Sequence, residues 1–214
     1  MNIQQAIDKY LEKENEKERT PSGKISPSSL GRCFRYQYWK RLNEPVSDPL
    51  ESRVLRVFAV GKLFHKFVQD IVGGQVEVLI ETEDEKGYAD IVEANEVTDL
   101  KSVNSRKFSY LDKLTKEQVI KEEYNNFLQG AWYGIRLNKP RFRLCFLSKD
   151  DFRTFEILEE TKNWVVKVEQ ELDTLRGYWN SKTLPPAQPR CFNGKECQFC
   201  GFRTKCKELE NGNQ

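Results

Sequence analysis

The order of periodic segments predicts a mixed α/β fold, a central sheet of about five strands flanked by helices. Three observations carry that expectation. Apolar residues recur at helical spacing near the amino terminus and over residues 53–72, 122–137 and 160–179. Between these helices lie short runs with strand character: VEVLIET, GYADIV, EVTDLKSV, RFRLCFLS and FRTFEIL. A chain of 214 residues is long enough to bury one substantial core, with room for a small appendage.

Taken in order, Ile3, Ile7, Tyr10 and Leu11 share one face of a short first helix, and the charged run EKENEKER is its solvated end. Residues 20–29, TPSGKISPSS, form a linker by composition. Ser26 or Ser28 then caps a second helix, SLGRCFRYQYWKRL, with Cys33 in its first turns. The third helix, residues 53–72, carries Val54, Phe58, Gly61, Phe64, His65, Val68 and Val72 along one face and stops at Gly73-Gly74. Residues 76–82 alternate as a strand, and TEDEKG turns into a hairpin over residues 87–103. The stretch NSRKFSYLDKLTKE has no clean period and reads as a loop or short helix. Residues 122–137 are helical, facing inward through Tyr124, Phe127, Leu128, Ala131 and Ile135. Pro140 separates them from a strand holding Cys145, a second strand pairs with it, and a long charged helix covers residues 160–179. The run TLPPAQPR leads into a cysteine-rich tail. The chain thus divides into a helical region (1–52), a core (53–184) and a cysteine segment (185–214).

No stretch approaches the ~18 unbroken apolar residues of a membrane span. The amino terminus is charged and lacks the apolar stretch of a signal peptide, so the expected location is cytoplasmic. A net charge of +2 does not announce a nucleic-acid partner. Basic residues nevertheless gather locally, at Arg32, Arg35, Lys40 and Arg41, at Lys62 and Lys66, at Arg106 and Lys107, and at Arg136, Lys139, Arg141 and Arg143. Phosphate binding needs such clusters without following from them. Six cysteines in a chain expected in a reducing compartment argue for metal or catalysis before disulfides.

The hairpin holds the densest chemistry. Asp99 and Lys101 are two apart and share a face. With a two-residue loop at Ala94-Asn95, Asp90 lies directly opposite Asp99, where Cβ atoms stand roughly 4.5–5.5 Å apart. Two carboxylates at that spacing can share a divalent cation. Leu100 points into the core, but its backbone carbonyl is available to the same ion. His65, the one histidine, reads alone as a core residue, although imidazole is a suitable ligand beside carboxylates. Gln129 and Tyr133 are four apart on the following helix and share a face; alone they read as a surface amide and a core aromatic.

The order His65, Gly87-x-x-Asp90, Asp99-x-Lys101 and Gln129-x-x-x-Tyr133 resembles the RecB-type branch of the PD-(D/E)xK nuclease superfamily. The resemblance implies a restriction-endonuclease-like core that hydrolyses DNA with Mg²⁺ or Mn²⁺. In that reading His65, Asp90, Asp99 and the Leu100 carbonyl hold the ion, and Lys101 lies beside the attacking water. Gln129 and Tyr133 would lie over the site against substrate. The branch more often carries Glu before x-Lys, so Asp99, one methylene shorter, bears on metal geometry.

The tail KECQFCGFRTKCK contains Cys-x2-Cys-x5-Cys and leaves two readings open. Cys191, Cys197, Cys200 and Cys206 can form a four-thiolate zinc knuckle. Alternatively Cys197, Cys200 and Cys206 join the distant Cys33 around a 4Fe–4S cluster. One remote cysteine plus a compact trio is similar to the iron–sulfur nucleases: the AddB nuclease domain and the CRISPR-associated RecB-like exonuclease of the Cas-four type. That resemblance favours the cluster, implies folding that depends on the metal, and leaves Cys191 without a role. It further implies a 5′→3′ exonuclease with some endonuclease activity, acting on single-stranded DNA ends or overhangs and trimming spacer precursors alongside a CRISPR integrase. Phe34, Tyr36, Tyr38, Trp39, Phe108 and Tyr110, set among basic residues, are candidate base-stacking groups. Two alternatives stay open. One is a phage, plasmid or chromosomal recombination nuclease of the same fold; the other is a non-catalytic nucleic-acid-binding protein with a zinc tail.

Overall fold

Five strands form a single sheet in sequence order: β1 (Gln75–Glu81), β2 (Lys86–Val92), β3 (Glu96–Val103), β4 (Arg141–Ser148) and β5 (Thr154–Glu160). Neighbours are antiparallel except β3 and β4, which run parallel. A parallel pair needs a crossover, and here it carries three helices, α4 (Ser105–Leu111), α5 (Lys116–Glu122) and α6 (Tyr124–Arg136). Ahead of the sheet come α1 (Ile3–Lys17), α2 (Phe34–Arg41) and α3 (Ser52–Ile71); after it come α7 (Val165–Asn180) and α8 (Arg203–Asn211). The computed structural model describes residues 2–17 and 22–212. The mixed five-stranded sheet that the sequence predicts is therefore present.

Its two faces are covered unequally. On one, Phe127, Leu128, Ala131 and Trp132 of α6 and Val168, Leu172 and Leu175 of α7 pack with Val97, Phe142, Leu144 and Phe146. On the other, Ile91, Leu100 and Cys145 make a small second core closed by Val68 of α3. So small a core cannot cover a 20-residue helix. Leu55 is the one fully buried residue of α3, and Phe58 and Val72, expected to face inward, are exposed. Val57, Val60, Leu63, Phe67 and Ile71 are exposed as well.

The amino-terminal region departs most from expectation. The linker reading of residues 20–29 holds its first two positions outside the described residues, and the rest is not a free linker. Ile25 accepts a hydrogen bond from the Lys86 N–H at 2.9 Å and donates to the Asp84 carbonyl at 2.7 Å. Ile25, Ser29 and Leu30 are buried. The second helix does not start at Ser26 or Ser28. Residues 27–29 make a single 3₁₀ turn, and Gly31 then adopts φ +74°. A Cβ at Gly31 would stand 2.9 Å from the Asn125 Cα, so a side chain cannot occupy that turn. Helix α2 begins only at Phe34, and Cys33 is its N-cap instead of lying in its first turns.

The stretch without a clean period resolves into α4 and α5. Thr115 and Gln118 form a reciprocal capping box at the start of α5. Glu123, at φ −111°, separates α5 from α6, so the single helix expected over residues 122–137 starts two residues later. Tyr124 is partly exposed, while Phe127, Leu128 and Ala131 are buried as expected. A short helix, α8, closes the cysteine tail.

Candidate active site and thiol site

The β2–β3 hairpin has the expected two-residue loop: the Glu93 N–H donates to the Glu96 carbonyl at 3.0 Å, and Val92 pairs with Val97 and Ile91 with Thr98. The pairing then stops one residue short of Asp90 and Asp99. They are not the ladder pair the sequence suggests. Instead Asp90 Oδ2 accepts the Leu100 N–H at 2.7 Å, where a backbone carbonyl would otherwise stand. The two strands fork, and the carboxylate of Asp90 fills the fork. The N–H and C=O of one strand residue point to the same edge, so the Leu100 carbonyl opens toward the same fork.

Asp99 and Lys101 lie on the α6 side of β3. Asp99 is only 2% exposed, and burial pushes its carboxyl up to about 6, against the pull of Lys101 and with the push of Asp90. Its Oδ2 stands 2.7 Å from Lys101 Nζ as an ion pair, yet lacks an aligned hydrogen bond. Lys101 donates instead to Gln129 Oε1 at 3.0 Å, and Gln129 Nε2 donates to the Tyr133 hydroxyl at 2.9 Å. Gln129 is therefore no surface amide. Both it and Tyr133 are buried, and burial followed by the nearby Asp99 raises the Tyr133 phenol, which stays protonated.

From the other face α3 brings His65, whose Nδ1 lies 3.5 Å from Asp90 Oδ1. One turn later Gln69 donates to the Asp90 carbonyl at 3.2 Å and to Glu77 Oε1 at 2.8 Å. Glu77 is a residue that sequence reasoning missed. It sits between the Val76–Ile91 and Val78–Ala89 pairs of β1 with φ +50°, a left-handed backbone rare for a side-chain-bearing strand residue. The written sequence shows it only as one acid of VEVLIET.

An imidazole, two carboxylates and a peptide carbonyl lie about the fork, groups whose chemistry suits Mg²⁺ or Mn²⁺. The buried Asp99 oxygen without a hydrogen bond fits such an ion. Among the described residues no three His, Cys, Asp or Glu side chains are gathered closely enough to hold a metal ion. Lys101 pairs with Asp99, and His65 lies beside Asp90.

Both ends of the chain meet at the thiols. The Cys197 thiol is raised by burial first, and then by the nearby Cys33, Glu196 and Cys206. Cys200 is raised by burial and also feels Cys33. Sulfur draws donors here: Arg35 Nη1 lies 3.2 Å from Cys206 Sγ, and the Phe202 N–H lies 3.4 Å from Cys200 Sγ. Cys191 belongs to another environment. Burial, then Glu196, pushes its thiol up to about 12, and Arg32 opposes them. Cys145 is buried on β4, as packing predicts. Thiolates that accept N–H donors, as Cys200 and Cys206 are placed to do, suit a thiophilic metal group, but among the described residues these thiols are not gathered closely enough to hold one.

The union of the two ends is made by carboxylates. Glu196, 1% exposed, accepts the Cys33 N–H at 3.0 and 3.1 Å, the Arg190 N–H at 3.0 Å and Arg32 Nε at 3.2 Å. Glu171 of α7 accepts both Arg190 Nη atoms at 2.8 and 2.7 Å and the Gly31 N–H at 2.9 Å.

No family model matches the chain, and neither does any curated protein. Solved structures do. The crystal structure of SSO0001 superposes with a TM-score of 0.58 at 18% identity, covering 94% of this chain and 93% of that one. The alkaline exonuclease LHK-Exo from Laribacter hongkongensis gives 0.55 at 10% identity, over 79% of this chain and 94% of its own. A phage-related exonuclease from Haemophilus somnus 129PT gives 0.55 at 12%, over 74% and 94%. LHK-Exo has also been solved in complex with dAMP. Among the described residues no helix is long and apolar enough to cross a membrane. At these identities the likeness speaks for architecture: the chain has the α/β fold of these exonucleases.

Proposed function

We propose that the protein is a divalent-metal-dependent DNA nuclease, acting as an exonuclease on single-stranded ends or overhangs. The observation that carries this reading is the β2–β3 fork, where Asp90, Asp99 and Lys101 converge under Gln129 and Tyr133, with His65 approaching from α3. Neighbours of the same fold are exonucleases, one of them solved with a deoxynucleotide. His65, Asp90, Asp99 and the Leu100 carbonyl are the groups that would hold the ion. A divalent cation bound there supplies Lewis-acid polarisation of the phosphate and a more acidic water. The Lys101 ammonium orients the attacking water and offsets negative charge as the phosphorus becomes five-coordinate. Gln129 aims that ammonium through its 3.0 Å contact, and Tyr133 fixes the Gln129 amide. The Asp90 contact with the Leu100 N–H fixes that carboxylate in the fork.

The thiols of Cys33, Cys197, Cys200 and Cys206 would hold a 4Fe–4S cluster joining the two chain ends. The zinc-knuckle set is disfavoured because Cys191 faces Glu196 and Arg32 while Cys33 neighbours the trio. The 5′→3′ polarity and a role beside a CRISPR integrase rest on the resemblance of the cysteine spacing to the iron–sulfur nucleases. A second reading is a phage, plasmid or chromosomal recombination nuclease of the same fold; one structural neighbour is a phage-related exonuclease.

Digestion of end-labelled single-stranded DNA tests the reading. Asp99→Ala and Lys101→Ala are each expected to abolish Mn²⁺-dependent cleavage, a loss of at least ~10³-fold, while the far-ultraviolet circular dichroism is unchanged. Cleavage at the wild-type rate by either variant would refute the site.

A further inference from the structure

We propose that Glu196 is a positioning residue for the thiol site: its buried carboxylate fixes the Cys33 backbone beside the carboxy-terminal cysteines, so that Cys33 is held near the trio before a thiophilic metal draws the thiols together. The inference rests on the thiol-site part of the proposed function and goes beyond it. Both Glu196 oxygens are committed to donors from the two ends of the chain. Cys33 and Arg32 belong to the approach to α2, whereas Arg190 lies six residues before Glu196 itself. Cys33 and Glu196 are 163 residues apart in sequence. Glu196 immediately precedes Cys197, so a carboxylate gripping the Cys33 N–H draws Cys33 beside the first thiol of the trio.

Desolvation makes the grip strong. A carboxylate almost wholly removed from water is costly unless its lone pairs are filled, and three backbone or guanidinium donors fill them. A second grip lies behind it, because Arg190 continues to Glu171, which in turn holds Gly31, two residues before Cys33. None of these bonds involves sulfur. Protein groups therefore join the two regions by themselves, and a metal would draw together thiols already held near one another. Cys191, next to Glu196 and Arg32, belongs to this grip and not to the ligand set.

The test uses the full chain, reduced and stripped of metal with a chelator. A short bis-maleimide is added, and cross-linked peptides are counted by mass spectrometry. In the wild type, links between Cys33 and the trio are expected to form as readily as the local Cys197–Cys200 link. Glu196→Ala is expected to lower the Cys33 links at least about tenfold, leave the Cys197–Cys200 link unchanged, and lower iron uptake on anaerobic reconstitution in parallel. Glu196→Gln keeps the shape and one acceptor, and is expected to fall between them; it supplies the same comparison if the alanine variant does not fold. A purely structural role would not move the ratio of distant to local links. Unchanged ratios in both variants would overturn the inference, as would a wild type whose Cys33 links form only after metal is added. If the ratio depends on Glu196 but the wild type takes up neither iron nor zinc, the positioning stands and the metal reading of the thiols fails.

Discussion

At the residue scale, the proposed site would set function against stability most sharply at Asp99. Its folded carboxyl is pushed up to about 6 by burial, against about 3.9 in an unfolded chain. The sign follows from linkage. A buried acid whose folded value is raised binds its proton more tightly when folded, so folding is not penalised below about pH 4. The penalty grows as pH rises through 4 to 6 and is complete above that. In chelated protein at pH 8, Asp99→Asn is therefore expected to stabilise the fold by roughly 1–3 kcal/mol and to raise the melting temperature, with the difference vanishing near pH 4. Thermal melts at the two pH values check this; a variant less stable at pH 8 would mean that the Lys101 pairing outweighs desolvation. The residues of this site were legible unevenly. Asp90, Asp99 and Lys101 declared themselves by spacing, because strand alternation fixes which side chains share a face. The way Asp90 reaches the site was hidden, since a carboxylate replacing a backbone acceptor leaves no mark on periodicity. Glu77 was hidden for a related reason: its place depends on a left-handed backbone and on Gln69 reaching across from α3.

At the scale of elements, α6 links the core to the chemistry. Its buried face packs on β4 while Gln129 and Tyr133 project over Lys101, so any shift of the helix moves the ammonium's partner. Gly130 controls how closely the helix approaches. A Cβ there would stand 2.7 Å from Phe142 Cδ2 and 3.2 Å from Leu144 Cδ2. Phe142 is fully buried and meets Phe127 and Trp164 edge-on at 6.2 and 5.9 Å. It has nowhere to go. Alanine gains up to about 1 kcal/mol in helix propensity, but overpacking costs about 1–3 kcal/mol. Gly130→Ala is therefore expected to lower stability on balance, and to lower the cleavage rate further because Gln129 is displaced from Lys101. Denaturant unfolding alongside single-strand digestion measures the two effects; an unchanged cleavage rate would show that helix approach does not set the ammonium. The sequence made α6 readable because its inward residues keep a clean helical period. It misled at residues 22–29, whose Pro, Gly and Ser content looks like a linker. That composition instead serves a 3₁₀ turn and the tight Gly31 passage beneath α6, where long-range contacts at Ile25 and Leu30 override local preference.

At the scale of the whole molecule, the question is why a remote cysteine would join the trio when a nearer one exists. Closing a loop costs about (3/2)RT ln n. A closure from Cys33 across 163 residues to Glu196 is therefore disfavoured against one across the six from Cys191 to Cys197 by roughly 3 kcal/mol. On spacing alone the local knuckle wins. In the proposed reading that cost is offset, because Glu196 and Glu171 tie the amino-terminal segment to the tail and the long loop is closed before any thiol takes a ligand. Cys191 meanwhile sits buried against Glu196 and Arg32 with its proton held tightly, a poor start for a thiolate ligand. The consequence is an asymmetry between two single substitutions of the same kind. Cys33→Ser is expected to remove essentially all bound iron and the associated visible absorbance, and to lower the melting temperature of the metal-loaded protein toward that of the chelated one. Cys191→Ser is expected to keep the wild-type metal content, with at most the small loss of a buried thiol's packing. Iron, zinc and sulfide analysis of the two variants purified without oxygen reads the difference directly. The opposite result, iron absent and zinc lost only with Cys191, would establish the local knuckle and leave the join between the chain ends to the carboxylates alone.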